Sequence, residues 1–477
     1  MINLKDIVSA LTGQTLPQLD IAIHRAVIDS RQASEGSLFI ALPGEQVDGH
    51  NFVQSAFENG AIFALIDQEL PEAKTIIDLR KGHFQPHTLT EITLPACLRV
   101  DDSLSALQAI AAHWRQVHPV RTIGITGSVG KTSTKELAAG LLSQTFSVLK
   151  NPGNRNNEIG LPLTLLELEA HHEIAVLEMG FYVPGEIQLL CEIAQPQIGL
   201  VTNIGTVHAE RAGSQAMIAK GKAELVTALP AAPEGIAILN NDDPWVRQMA
   251  EKTQANILSY GIVEESDLMA REIQTHGLDG ISCVISAYGE AHAIRSPLLG
   301  AFSVYTILCA VAVALTQGLD WPTITTGLAE SRLDLRLHPY ICPDGTTILD
   351  DTYNASPAST IAALELLQDL SGRRVAVLGD MLELGHYERD GHHAVGQVAA
   401  AAADVLILIG ERTTTTAEAA LENGFSKEHM HWFPDSSLAA EKINSLLHTG
   451  DRVLIKGSNL MRMDRVLKAL KGGCDGK

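Results

Sequence analysis

The stretch RTIGITGSVGKTSTKELAAGLL, Arg121–Leu142, decides the fold. An apolar run, Thr122–Thr126, leads into a glycine-bounded loop, Gly127–Gly130, and strong helix formers follow Lys131 and Thr132. A strand, a glycine loop, a lysine and a helix in this order are typical of proteins that hold nucleotide phosphates. Backbone N–H groups of such a loop, and the positive end of the helix, can face the anion. The stretch therefore predicts a parallel α/β sheet with a phosphate site at one edge.

The loop departs from the strict phosphate-loop pattern. That pattern has an additional, earlier glycine, and Ile125 occupies its position here, which leaves G-x-x-G-K-T. We expect Lys131 to bridge the outer phosphates and the Thr132 hydroxyl to bind Mg²⁺. An ordinary strand-to-helix turn with a surface lysine is the alternative. The predicted ATP-binding residues of the loop are Gly127, Ser128, Val129, Gly130, Lys131, Thr132 and Ser133.

Composition and charge limit the classes of protein to which the chain can belong. The 477 residues are 45% hydrophobic and 19% charged, and a chain of this length predicts several folded domains. The formal net charge is 35 − 56 = −21, which makes nucleic acid or an anionic membrane surface a poor partner. Anionic substrates would have to be bound by local devices, such as a helix N-terminus, a metal ion or a few basic side chains.

The cysteines and the apolar segments indicate the compartment. Six scattered cysteines without a C-x-x-C spacing predict buried thiols in a reducing environment and argue against a disulfide framework or a zinc site. The N-terminus lacks the apolar run of a signal peptide. In Ser296–Leu319 the strongly apolar part, Val304–Leu315, is too short for a membrane span. We therefore expect a buried helix there, no membrane insertion and a cytoplasmic protein.

Strands and helices alternate along most of the chain. From near residue 118, apolar strands separated by helical patterns predict a parallel sheet covered on both faces, and a second such series begins near residue 335. The helical pattern Leu104–Pro119 ends at a proline and marks the first joint. We predict three α/β domains: an N-terminal domain over 1–117, a central phosphate-loop domain with a parallel sheet over 118–334, and a C-terminal Rossmann-like domain over 335–477.

Polar residues at two strand ends are further candidates. Glu178 closes the apolar strand Ile174–Met179, and His208 follows the next strand along the chain. Carboxyl ends of parallel strands share one edge of a sheet, so both could bind a metal ion there, although a solvated carboxylate and a structural histidine are the alternatives. By periodicity, Lys220 and Lys222 are helix-surface lysines. The remaining histidine pairs lack metal-ligand partners and are expected on the surface: His171–His172 and His392–His393.

Several long motifs in one order resemble the Mur ligases, the ATP-dependent amide-forming enzymes of peptidoglycan precursor synthesis. They cover nearly the whole chain. Within this family they are most similar to members that add D-alanyl-D-alanine to UDP-N-acetylmuramoyl-tripeptide. The segments are DSRQASEGSLFIALPGEQVDGHNF (Asp29–Phe52), NRNNEIGLPLTLL (Asn154–Leu166), DDTYNASPAS (Asp350–Ser359), LGDMLELG (Leu378–Gly385) and KGSNLMRMD (Lys456–Asp464).

The resemblance implies roles for residues in all three domains. Lys131, Lys222, His208 and Glu178 would be catalytic, and Thr132, Glu178 and His208 would hold two Mg²⁺ ions. Lys222 would be the carbamylated lysine of the family, with Lys220 as its rival. The other implied contacts are Ser30, Arg31, Asp48, Gly49 and His50 to the UDP-sugar; Asn154, Asn156 and Asn157 along the muramoyl-peptide path; Asn240 near adenine; and Arg336 and Asp351 at the γ-phosphate and ribose.

The resemblance also implies a two-step reaction through an acyl phosphate, closure of the C-terminal domain and a monomeric enzyme. Two departures stand out: Phe302, Ser303 and Thr306 replace polar residues of the family's G-x-H-N-x-x-N pattern, and Val129 stands where many relatives carry Asn. The alternatives are a sister ligase that adds another amino acid, a folylpolyglutamate-type ligase, or a nucleotide-binding homologue without turnover.

Overall fold

The described residues form three separate sheets. The computed structural model describes residues 1–44, 47–71, 73, 75–86, 92–331 and 337–475. The chain divides into two compact units: Met1–Gly124, Phe146–Gly180 and Gly185–Ile198 form the first, and Ile125–Thr145, Phe181–Pro184 and Gly199–Lys477 form the second. The sheets have five, nine and six strands. The predicted three-domain α/β architecture is confirmed, whereas the joints near residues 118 and 335 stay predictions.

The N-terminal sheet is parallel throughout. Its strands follow the order β1-β2-β3-β5-β4, and each neighbouring pair runs parallel. Strand β2 is buried along its whole length, as expected where both faces of a sheet are covered. The elements are α1 (Leu4–Thr12), β1 (Arg25–Val27), β2 (Ser37–Ile40), α2 (Val53–Glu58), β3 (Ala61–Ile66), β4 (Ile76–Asp78), β5 (Ala96–Arg99) and α3 (Ser103–Val117).

The central sheet has the order β14-β13-β12-β11-β10-β9-β6-β8-β7. Its elements are β6 (Arg121–Thr126), α4 (Lys131–Leu142), β7 (Val148–Lys150), α5 (Gly160–Leu165), β8 (Ile174–Glu178), α6 (Glu186–Ala194), β9 (Ile198–Val201), α7 (Ala209–Ala212), α8 (Gln215–Thr227), β10 (Ile236–Asn240), α9 (Pro244–Arg247), β11 (Asn256–Gly261), β12 (Leu268–Thr275), β13 (Ile281–Ala287), β14 (Glu290–Ser296), α10 (Ser303–Thr316) and α11 (Trp321–Glu330).

The predicted parallel central sheet is confirmed, and an antiparallel meander that the sequence did not predict extends one edge of it. Strand β7 is parallel to β8, and β10, β11 and β12 are parallel to one another. Strands β12, β13 and β14 form an antiparallel meander. Residues of β13 alternate between buried and half-exposed, and a sheet with one wet face does not need the continuous apolar strands that the prediction relied on.

The C-terminal sheet has the order β15-β16-β20-β17-β18-β19, with β15 antiparallel to β16 and the other pairs parallel. Apolar clusters cover both faces. The elements are β15 (His338–Ile341), β16 (Thr347–Asp351), α12 (Pro357–Asp369), β17 (Arg374–Gly379), α13 (Glu388–Ala402), β18 (Val405–Ile409), α14 (Thr413–Glu422), β19 (Met430–Phe433), α15 (Ser436–Lys442), β20 (Arg452–Lys456) and α16 (Asp464–Asp475).

The structure tests what the sequence predicts for the long apolar segment and for the cysteines. Helix α10 is buried from Ile307 to Ala314, and no helix within the described ranges is long and apolar enough to cross a membrane. Cys97, Cys191, Cys283 and Cys309 are free and buried, as predicted. Cys342 is disulfide-bonded, which corrects the expectation of thiols alone. Spacing carries no signal for such a pair, because a disulfide joins residues that only the fold brings together.

Candidate active site

Two glycines shape the loop between β6 and α4. Gly127 has φ +144°, and a Cβ atom there would lie 1.9 Å from Thr202 Oγ1. Gly130 has φ +87° and is the N-cap of α4, so its left-handed conformation starts the helix directly after the loop. Neither position suits a side chain. The sequence therefore folds here into a turn that brings backbone N–H groups and a helix N-terminus together.

Asn203 braces the loop from the end of β9. Its backbone carbonyl accepts the Ser128 N–H at 2.9 Å, and its Oδ1 accepts the Val129 N–H at 3.0 Å. Its Nδ2 and the Thr202 hydroxyl both donate to Val129 O. This brace holds the loop in one conformation. Our sequence analysis did not single out Asn203, although it lies in the same VTNIGTVH segment as His208.

Two lysines converge on one carbonyl of the loop. Lys131 Nζ donates to Gly127 O at 2.8 Å, and Lys222 Nζ donates to the same oxygen at 2.9 Å. Lys222 is only 2% exposed and lies over the Phe181 ring. Lys220 is exposed on the same helix, α8. The prediction of a surface position is therefore right for Lys220 and wrong for Lys222, since helical periodicity does not reveal which face is covered.

Glu178 ends β8 within the first unit and is almost fully buried. The side chain of Asn151 donates to Glu178 O and accepts from Glu178 N. Asn156 Nδ2 donates to Glu178 Oε1 at 2.8 Å. Both the backbone and the carboxylate are thus fixed by asparagine amides, and Asn151 is a residue that our sequence analysis missed.

The three asparagines predicted along the peptide path have different surroundings. Asn154 is exposed in the loop that follows β7. Asn156 is half-buried against Glu178. Asn157 is exposed, and its Oδ1 accepts the Gly160 N–H at 2.9 Å at the start of α5. Asn156 therefore orients a candidate metal ligand, whereas Asn157 has a local structural contact.

His208 lies at the N-terminus of α7 with φ +65°. Its Nδ1 is 2.6 Å from Glu383 Oε2, and the Tyr182 ring meets it edge-on with centroids 4.7 Å apart. Burial lowers the pKa of His208, and the nearby Lys131 and Lys222 act in the same direction, against Glu383, which raises the pKa. The imidazole is therefore neutral at physiological pH, which is the form that binds metal ions.

A cavity of about 490 Å³ opens beside the phosphate loop. Its polar lining includes Ser128, Thr132, Asp351, Asn354 and Lys456. The apolar part of its lining includes Leu299, Phe302, Leu337 and Leu366. A cavity of this size, lined by apolar side chains and a few polar groups, suits a small ligand.

Asp351 and Lys456 form a buried ion pair in that cavity wall. Lys456 Nζ donates to Asp351 Oδ2 at 2.5 Å and to Asn354 O at 2.9 Å. Lys456 is 2% exposed, and its place at the end of β20, beside β16, brings it to Asp351. Lys456 lies in one of the segments that carry the family resemblance, but no role was predicted for it. The feature of the sequence that indicated a functional residue was its position at the end of a strand.

Asn240 and Arg336 are the other two residues that the sequence predicts to contact the nucleotide. Asn240 is buried at the end of β10, where its Nδ2 donates to Thr202 O and its Oδ1 accepts the Asp242 N–H. It is not among the residues that line the cavity. Arg336 lies outside the described residues. Both contacts stay predictions.

The predicted UDP-sugar residues form two short turns in the first unit. Ser30 is buried, and Arg31 is exposed with its guanidinium paired to Asp29. Hydrogen bonds from Arg31 lower the pKa of Asp29.

The second turn centres on His50. Its Nδ1 lies 2.7 Å from Asp48 Oδ1, and its Nε2 lies 3.1 Å from Asp67 Oδ1. Gly49 packs so tightly that a Cβ atom would be 2.7 Å from Leu42 N. The structure brings Asp48, Gly49 and His50 together, with His50 Nδ1 facing the Asp48 carboxylate and Nε2 accepting the Asp67 N–H at 3.2 Å.

The predicted metal ligands Thr132, Glu178 and His208 offer a hydroxyl, a carboxylate and a neutral imidazole. In the part of the chain that the structure describes, no group of three or more His, Cys, Asp or Glu side chains could hold a metal ion by itself. Mg²⁺ usually binds proteins through one or two carboxylates together with substrate phosphates and water. Glu178 lies in the first unit, and Thr132 and His208 lie in the second. A carboxylate on one unit and a hydroxyl on the other are each donor types compatible with a magnesium ion that arrives with a nucleotide.

Comparisons with known proteins identify the family. Residues 22–115 match the Mur ligase family catalytic domain, residues 125–314 the Mur ligase middle domain, and residues 335–459 the Mur ligase glutamate ligase domain. These matches follow the order of the three sheets. The chain belongs to the Mur ligase family.

Relatives extend the likeness over the full length. The chain is 37% identical to the UDP-N-acetylmuramoyl-tripeptide--D-alanyl-D-alanine ligase of Synechocystis sp., over 97% of this chain and 95% of that protein. The crystal structure of MurF from Acinetobacter baumannii superposes with a TM-score of 0.83 at 30% identity, covering 98% of each chain. MurF from Thermotoga maritima, in complex with ADP, superposes with a TM-score of 0.80 at 27% identity, covering 96% of this chain and 99% of that one.

Proposed function

We propose that this chain is an ATP-dependent ligase that adds D-alanyl-D-alanine to UDP-N-acetylmuramoyl-tripeptide in the cytoplasm, acting as a monomer in peptidoglycan precursor synthesis. Relatives of that name, matched along nearly the whole chain, support the proposal. ADP in the Thermotoga maritima structure supports the nucleotide. The observation that carries the proposal is the convergence of Lys131 and Lys222 on Gly127 O, in a loop that borders the cavity.

The reaction has two steps. An oxygen of the tripeptide's terminal carboxylate attacks the γ-phosphorus of ATP, the bond from phosphorus to the bridging oxygen breaks, and ADP leaves. The product is an acyl phosphate. The amine nitrogen of D-alanyl-D-alanine then attacks the acyl carbon, phosphate leaves, and the nitrogen loses a proton to give the amide. ATP is needed because a carboxylate has no leaving group that an amine can displace at neutral pH.

The phosphate loop stabilises the charge of the first step. Residues Gly127–Ser133 surround the outer phosphates, and Lys131 leaves Gly127 O to contact the oxygens of the transferred group. Preorganised cations and N–H groups of this kind supply most of the rate in phosphoryl transfer. Thr132, Glu178 and His208 would hold the magnesium ions, which would neutralise charge on the phosphate oxygens.

Lys222 is the lysine that we propose to be carbamylated, rather than Lys220. A carbamate forms only on a neutral amine, and burial beside another cation favours the neutral form of a lysine. Lys222 is buried and shares an acceptor with Lys131, whereas Lys220 is exposed. The carbamate would turn a cation into a carboxylate that can orient a metal ion.

The remaining contacts follow the family pattern. We propose that Asp351 binds the ribose, with Asn240 near adenine and Arg336 near the γ-phosphate. The muramoyl substrate extends along Asn154, Asn156 and Asn157. The UDP-sugar is held by Ser30, Arg31, Asp48, Gly49 and His50.

The test is release of ADP by the full chain with Mg-ATP and UDP-N-acetylmuramoyl-tripeptide, with and without D-alanyl-D-alanine. We expect ADP only when the dipeptide is present. Release with a single amino acid instead would identify a sister ligase, and slow hydrolysis that ignores both co-substrates would identify a homologue without ligase activity.

Matched lysine variants test the site in the same assay. Lys131→Ala should lower turnover on the order of 100-fold because it removes a preorganised cation. Lys222→Ala should lower it by a similar factor because it removes the carbamate carboxylate that would orient a metal ion. Lys220→Ala should keep turnover, since that side chain is exposed on the same helix. Bicarbonate should stimulate CO₂-depleted wild type but not Lys222→Ala. If Lys222→Ala kept full activity at low CO₂, the carbamate assignment would be wrong.

A further inference from the structure

A carboxylate from the C-terminal sheet contacts the imidazole of His208. Glu383 Oε2 lies 2.6 Å from His208 Nδ1, and the Glu210 N–H donates to Glu383 O at 3.2 Å. Glu383 follows β17 in LGDMLELG. It falls in the stretch that matches the Mur ligase glutamate ligase domain, whereas His208 falls in the stretch that matches the Mur ligase middle domain. Both residues have left-handed backbones, with φ +62° and +65°. Such conformations are costly for residues other than glycine and are retained at functional sites.

The loop that carries Glu383 is anchored within its own domain. His392 Nε2 accepts the Met381 N–H at 3.2 Å, and Ser458 Oγ accepts the Leu382 N–H at 2.9 Å. His392 is 1% exposed, which corrects the expectation of a surface position, and burial lowers its pKa so that the ring stays neutral. Glu383 is therefore presented by a fixed loop rather than by a free side chain.

The loop also fits closely against the segment that follows His208. A Cβ atom on Gly385 would lie 3.1 Å from Glu210 Cα. The Tyr387 hydroxyl accepts the Gln215 N–H at 3.4 Å, and Arg211 Nη2 is 3.9 Å from Glu383 Oε1. The contact between Glu383 and His208 thus belongs to a packed interface with several backbone and side-chain partners.

The chemistry of the pair determines which ring nitrogen is available. A carboxylate only accepts hydrogen bonds, so the nitrogen that faces Glu383 must carry the proton, and that nitrogen is Nδ1. In a neutral imidazole the lone pair is then on Nε2. Histidines that bind metal ions commonly donate the other ring N–H to a carboxylate, which fixes the tautomer and the ring orientation.

We propose that Glu383 is a positioning residue that holds His208 by Nδ1 and so presents Nε2 to the divalent cation that accompanies the nucleotide. This inference rests on the proposed role of His208 as a metal ligand. Because Glu383 is supplied by the C-terminal domain, the metal ligand is oriented only while that domain is docked on the segment after His208. No step of the reaction requires Glu383 to touch substrate.

The experiment uses the full chain with ADP and Mn²⁺ as the probe, and measures Mn²⁺ affinity and the ¹⁴N coupling of bound Mn²⁺ by electron paramagnetic resonance. Wild type should show coupling to a histidine nitrogen. Glu383→Ala should weaken Mn²⁺ binding about 10-fold and reduce the coupling. Glu383→Gln keeps an acceptor oxygen and should lie between the two.

The control and the contradicting outcomes separate this inference from the proposed function. Glu422 accepts a similar contact from His393 in the same domain, and Glu422→Ala should leave both measurements unchanged. His208→Ala should abolish the ¹⁴N coupling, and its persistence would overturn the role of His208 itself. If His208→Ala lost the coupling but Glu383→Ala kept wild-type affinity and coupling, Glu383 would be a packing residue and our inference would be wrong.

Discussion

Gly127 combines a steric constraint that only glycine satisfies with a backbone carbonyl that two lysines share. Its missing side chain lets Thr202 approach the loop, and its carbonyl accepts both Lys131 and Lys222. The peptide of Gly127 therefore determines how closely the loop packs against Thr202, and it brings the ammonium groups of two lysines together. This matters in a protein whose net charge is −21, because anionic substrates must reach the site through an unfavourable overall field.

Gly127→Ala should destabilise the protein by about 3 kcal/mol, because the added Cβ would clash with Thr202 Oγ1 and the φ of +144° is strained for alanine. The measurement is urea unfolding of the full chain. Gly318→Ala is the matched control, since its φ is +79° but no atom lies within 4 Å of the added Cβ. It should cost only about 1 kcal/mol. Equal losses in both variants would contradict a steric role for Thr202.

At the level of residues, the sequence predicts those whose type and strand position carry the chemistry. Lys131 is predicted from the glycine loop, and Glu178 and His208 from the ends of apolar strands. Their neighbours Asn151, Asn203 and Glu383 are not predicted, because they make contacts that only the folded chain creates. The burial of Lys222 is another such property, since it depends on Phe181 and on the loop.

At the level of elements, the prediction succeeds where strands are apolar on both faces. Strand β6, helix α4 and the buried helix α10 lie where the sequence places them. The meander β12–β14 was missed because half-exposed strands carry a weaker apolar signal. Its turn joins β13 to β14 through Tyr288 and Gly289, both with positive φ, and the sequence there is not the usual Asn-Gly.

That turn offers a stabilising substitution. Tyr288 has φ +52° and is 73% exposed, so it has an unfavourable backbone with little burial to offset it. Tyr288→Asn should stabilise the hairpin by up to about 1 kcal/mol, because asparagine tolerates this conformation better. Hydrogen exchange of the β13 and β14 amides should become slower. Unchanged or faster exchange would mean that the Tyr288 side chain stabilises the hairpin by at least as much as its backbone conformation destabilises it.

At the level of the whole molecule, buried thiols couple stability to alkaline pH. Burial raises the pKa of Cys97 and Cys283 to about 11 and that of Cys309 to about 12, from 9.0. Above pH 9 the unfolded chain loses these protons while the folded chain keeps them, so the free energy of unfolding falls as the pH rises. The limit is about 1.4 kcal/mol per pH unit for each thiol.

Calorimetric melting temperatures between pH 8 and 11 measure this loss. We expect a constant melting temperature up to pH 9 and a steady fall above it. Cys283→Ala removes one titrating group and should make the fall shallower. The same slope in the variant and the wild type would show that other groups cause the alkaline loss.

The strand order of the C-terminal sheet has a consequence for synthesis on the ribosome. Strand β20 comes after β16, β17, β18 and β19 along the chain but lies between β16 and β17 in the sheet. Until it emerges, those two strands have no partner between them and expose edges that can pair wrongly. The same strand delivers Lys456 to the cavity. A nascent chain thus acquires the loop Gly127–Ser133 before the strand that supplies Lys456, so the lining of the cavity is completed only when β20 has been synthesised.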